Sequence, residues 1–101
     1  MTLLPYFEVD VPIRNTARPG EQGWHVFTGQ ADSKTTAVRI AREVYDQAFD
    51  AAKSGAQMPG RRPDGWGVRG LRPGWELDWP GAIAHLWGDP HSWTRVSDFD
   101  L

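Results

Sequence analysis

Apolar and polar positions change period twice along this chain. Over residues 7–14 they alternate: Phe7, Val9, Val11 and Ile13 fall on one side, Glu8, Asp10, Pro12 and Arg14 on the other. A period of two with β-branched members predicts a half-buried strand. Pro12 cannot donate to a ladder, so either its N–H side faces solvent or the strand lies at an edge. Residues 15–23 (NTARPGEQG) are polar and set for a tight turn at Pro19-Gly20, and so read as a hairpin connection. Strand character resumes over residues 24–28, with Trp24, Val26 and Thr28 on one face and His25 and Phe27 on the other. Aromatics on both faces lead us to expect this strand inside a sheet or covered on both sides.

The period then lengthens. Across residues 32–55, Ala37, Ala41, Val44, Ala48 and Ala51 recur at helical spacing, widened by Val38, Ile40, Tyr45, Phe49 and Ala52. Arg39, Arg42, Glu43, Asp46, Gln47 and Asp50 fill the opposite side, and Arg39–Glu43 and Arg42–Asp46 are spaced for i,i+4 pairing. Asp32 or Ser33 can cap the start, and Lys53-Ser54-Gly55 is the matching stop. A single long amphipathic helix follows.

Beyond it, residues 56–65 (AQMPGRRPDG) offer nothing to anchor a core. Residues 66–72 and 75–79 flank Pro73-Gly74, a type II turn signature, and predict a second hairpin. Residues 80–87 (PGAIAHLW) fit a short helix, with Pro80 in the first turn and Gly88 as stop; a strand would instead group Ile83, His85 and Trp87. The helix is preferred. Residues 93–96 suit a short edge strand and residues 97–101 a frayed tail. The fold class expected is α+β: an antiparallel sheet of about four strands in β-β-α-β-β order, one long helix on one face, and a short C-terminal helix.

Composition narrows the class of protein. A chain of 101 residues suits one domain, able to bury roughly two-thirds of its unfolded surface. Cysteine is absent, which removes disulfides, thiolate metal sites and a Cys nucleophile. Neither a signal peptide nor an apolar run of membrane-spanning length is visible, so a cytoplasmic location without membrane partners is the expectation. The net charge of -2 gives no global pull toward nucleic acid. Charge is nonetheless uneven: Arg61, Arg62, Arg69 and Arg72 face a single Asp64, whereas acids dominate from Glu76 onward.

Candidate chemistry is sparse. His85, Asp89 and His91 could approach a metal, but their spacing matches no ligand motif. Glu76 and Asp78 share a strand face, which reads as solvated. No serine elbow or phosphate-cradling glycine loop is present. These absences argue against an enzyme and against a cofactor. Guanidinium groups and indoles interleave between Arg61 and Trp75, and both are enriched at binding surfaces. The expectation is a small protein-binding domain whose contact residues are Arg61, Arg62, Trp66, Arg69 and Arg72, with another protein or a second copy as partner. The alternative is a nucleic-acid-binding accessory protein using the same residues, with Trp66 or Trp75 stacking on bases. In that case binding to a labelled single strand weakens steeply with salt, and Arg69→Ala flattens the slope; no binding at low salt removes the idea.

Overall fold

A computed structural model describes residues 4–57, 59–68 and 70–87. The elements are β1 (Tyr6–Asn15), β2 (Gln22–Gln30), α1 (Lys34–Ser54), β3 (Trp75–Leu77), a 3-10 turn (Trp79–Gly81) and β4 (Ile83–Leu86). The expected β-β-α-β-β order is present, with all strand pairs antiparallel and one long helix. Residues 93–101, read as a strand and a tail, lie outside the described residues.

The helix forms where its caps dictate. Ser33 Oγ accepts from the Thr36 N–H, and Gly55 closes the helix at φ 74°, donating its N–H to the last-turn carbonyls. Arg39 and Glu43 pair at 2.9 Å on the exposed face, an arrangement worth a few tenths of a kcal/mol. Ala37, Ala41, Val44, Tyr45 and Ala48 face the sheet. The small alanines let the helix sit close to Phe7, Val9, Val11 and Phe27, while larger rings fill the space beside them. Phe27 lies 5.7 Å from Trp79 and 6.2 Å from Tyr45, centroid to centroid.

β1 is the central strand, and Pro12 explains how that is possible. Its odd-numbered residues hydrogen-bond to β2, and its even-numbered residues face β3 and β4. β3 pairs with Ile13–Asn15 and β4 with Phe7–Asp10, so neither ladder includes position 12. The 3-10 turn between β3 and β4 occupies that gap. Only the Pro12 carbonyl is needed there, and it accepts from the Asp78 N–H at 2.8 Å. The missing donor falls where the ladder is interrupted.

Three expectations require correction. Residues 80–87 do not form a helix: Pro80 and Gly81 make the 3-10 turn, capped by Asp78, and the chain then extends as β4. Pro and Gly serve a single tight turn as well as a helix start, and Ala84 is drawn onto the core beside Val9. Among the described residues, 66–68 and 70–72 form no strand. The Pro73-Gly74 turn exists, with Gly74 at φ 81° and the Trp75 N–H bonded to the Arg72 carbonyl, but Trp66 is committed elsewhere. β2 lies at the border of the sheet rather than inside it. His25 and Phe27 are buried toward α1, whereas Trp24 and Val26 keep 37% and 40% exposure on the other face.

Among the described residues, Trp66 is the largest fully buried side chain. Its indole lies over Gly29, where any Cβ would overlap the ring, and its Nε1–H donates to the Gln30 carbonyl at 2.7 Å. Burying an indole of this size contributes up to about 4–6 kcal/mol. Gly29→Ala is therefore expected to lower the free energy of unfolding by about 1–3 kcal/mol in urea titrations, because the ring has to move. Trp66→Ala should cost about 3–5 kcal/mol and loosen the loop as well.

Candidate functional site

The strongest concentration of chemistry lies on the sheet face opposite α1, at residues the sequence pattern assigns to the polar side of β1. Glu8 and Asp10 are both fully buried. Their i,i+2 spacing puts them on one face, and β4 brings His85 directly across from Glu8. The His85 Nε2 stands 3.3 Å from Asp10 Oδ2. One ligand atom from each of Glu8, Asp10 and His85 lies within 4.8 Å of the other two, a donor set of two carboxylates and an imidazole. All three come from paired strands, so their mutual position is held by backbone ladders rather than by a loop.

Sequence reasoning places His85 with Asp89 and His91; the structure places it with Glu8 and Asp10, and Asp89 and His91 lie outside the described residues. The strand alternative for residues 80–87, crossed with the alternation of residues 7–14, was the available signal. Glu76 and Asp78 do not act together. Glu76 pairs with Arg14 at 3.4 Å, and Asp78 caps the 3-10 turn. Both border a cleft of about 660 Å³ lined also by Pro12, Gln22 and Trp24.

The predicted contact residues do not gather into one patch. Trp66 is withdrawn into the core, so it presents no stacking face. Arg62 is held by Asp64 at 2.8 Å, and its N–H bonds to the Trp66 carbonyl. Arg61 donates from Nε to the Gly65 carbonyl at 3.2 Å. These two guanidinium groups stand beside the Gln30 end of β2, where the Gln30 N–H reaches the Asp64 carbonyl. Arg72 sits apart, its N–H bonded to the Tyr45 hydroxyl at 3.0 Å. Arg69 lies outside the described residues.

Large apolar side chains remain exposed on the same side as the acid pair. Tyr6, Trp24, Val26 and Ile83 lie on the rows flanking and containing Glu8 and Asp10, each about two-fifths exposed. Among the described residues no helix is long and apolar enough to cross a membrane.

No family model matches this chain, and comparison with the curated proteins and with the solved structures finds no match.

His25, on the opposite face, is a core residue. It stacks on Phe27 at 4.6 Å and meets the edge of Tyr45 at 5.5 Å. Burial, with a smaller contribution from the Arg72 charge, pushes its pKa from 6.5 down to about 4. The unfolded chain then binds the proton first, so stability should be complete above pH 6.5 and decline as pH falls toward 4. The loss attributable to this group reaches about 3 kcal/mol. His25→Phe, which keeps a ring on Phe27, should show a shallower decline in urea midpoint between pH 7 and 4.5 than the parent protein.

Proposed function

We propose that this chain acts by binding protein through the outer border of β2 and the apolar face beside it, with a second copy of itself as the partner. The observation that carries this reading is the character of β2. It runs nine residues, Gln22–Gln30, and contains no Lys, Arg, Asp, Glu or Pro. Border strands in monomeric proteins are normally interrupted by such residues, because unpaired backbone groups recruit further strands.

The hydrogen-bond alternation says which groups are on offer. The Ala31 N–H turns inward to the Pro5 carbonyl, and the Gln30 N–H turns outward to Asp64. Two and four residues earlier, the N–H and C=O of Thr28 and Val26 therefore point away from β1. Among the described residues no strand pairs with this side of β2.

Self-complementarity favours a second copy. An antiparallel pair of β2 strands centred on Val26 sets Val26 against its equivalent and Trp24 against Thr28. An aromatic residue opposite a β-branched one is a favourable cross-strand pair, and an uncharged strand meets no like-charge repulsion from its own copy. A two-fold arrangement of this kind closes on itself. Arg61 and Arg62, beside the Gln30 end, would then form part of a polar rim. Nucleic acid is less well supported, because the indole closest to the arginines is buried.

The mass measured by sedimentation equilibrium should rise toward twice that of the chain as concentration increases from micromolar to near millimolar. Val26→Lys, at a position that is 40% exposed, should hold the protein as a folded monomer. A parent protein that stays monomeric across this range would overturn self-pairing.

A further inference from the structure

We infer that Glu8, Asp10 and His85 form a binding site for a divalent transition-metal cation. Three observations converge on it. First, metal–oxygen and metal–nitrogen bonds of about 2.0–2.2 Å set neighbouring ligand atoms about 3–3.5 Å apart around one ion. The 3.3 Å between Asp10 Oδ2 and His85 Nε2 is such a separation. The whole donor set falls within 4.8 Å.

Second, the His85 Nε2 is buried and aimed into the cluster, yet it makes no hydrogen bond there. An imidazole nitrogen set beside a carboxylate oxygen at 3.3 Å has the geometry of two ligands of one ion. Third, the donors stand on rigid elements. Glu8 and Asp10 are consecutive same-face residues of the central strand, and His85 lies across the β1–β4 ladder. A site built on paired strands holds its geometry before an ion arrives.

The donor types choose the ion. An imidazole beside two carboxylates suits zinc, manganese, cobalt or iron, whereas magnesium and calcium prefer oxygen alone. Two carboxylates balance the charge of a divalent cation. Three protein ligands leave at least one coordination position for water. The cation would tie β4, a four-residue strand, to the centre of the sheet.

The full chain, stripped with a chelator and dialysed, should bind Zn²⁺, Mn²⁺ or Co²⁺ at one ion per chain in calorimetric titration. Its thermal midpoint should rise by about 5 °C or more at saturation. His85→Gln, which keeps the size and removes the ligand, should weaken binding at least tenfold, and Glu8→Gln should weaken it as well. Should either variant fail to fold, ring ¹⁵N spectra of the parent protein decide, since Zn²⁺ should shift the His85 imidazole resonances and leave those of His25 in place. If none of the three ions binds stoichiometrically, or if binding is unchanged in a folded His85→Gln variant, the site is overturned. A midpoint indifferent to metal but lowered in His85→Gln would also overturn it, and would mark a simple His–Asp ion pair.

Discussion

Every strand of this sheet hydrogen-bonds to β1. The two borders of β1 are used differently: one side meets β2 over its whole length, and the other is shared end to end by β3 and β4. A strand that serves two neighbours on one side needs a gap between them, and the chain supplies it with a residue that has no N–H to leave unpaired. Burial follows from the same centrality. Phe7, Val9 and Val11 are closed off by α1, while Glu8 and Asp10 on the other face are closed off just as fully. The middle of the sheet is therefore apolar on one side and acidic on the other.

That asymmetry marks the limit of what the sequence discloses. The long helix is legible because its signals agree: an oxygen-bearing cap at Ser33, a stripe of Ala and Val, and a glycine free to adopt positive φ at position 55. The alternation of β1 is legible for the same reason. What alternation cannot show is whether the polar side meets water. Glu8 and Asp10 fit the solvated half of an amphipathic strand, and their burial depends on neighbours far along the chain, His85 among them. Long-range contacts of this kind leave no local periodicity.

Trp66 and Pro80 illustrate a different ambiguity. An indole among arginines suits a binding surface, yet a glycine at position 29 makes a socket into which the same ring fits, and only the folded chain shows that socket being filled. Pro80-Gly81 supplies cues shared by a helix start and a 3-10 turn. The choice is made by packing, since extending the chain after Gly81 brings Ala84 beside Val9, whereas continuing to wind would carry it away. Of the residues singled out as a contact surface, Arg61, Arg62 and Arg72 remain outside and the tryptophan goes in. Guanidinium groups are readily solvated at the surface, while an indole gains most from leaving water.

The Trp66 indole has one more effect. By taking the Gln30 carbonyl, while the Asp64 carbonyl takes the Gln30 N–H, the loop plugs the outward hydrogen-bonding positions at the last residue of β2. Any strand laid along that border must stop short of the plug. The same ring that fills the interior thus acts as an end-stop on the rim, limiting how far a neighbour can slide and converting an otherwise featureless row of backbone groups into one with a defined terminus.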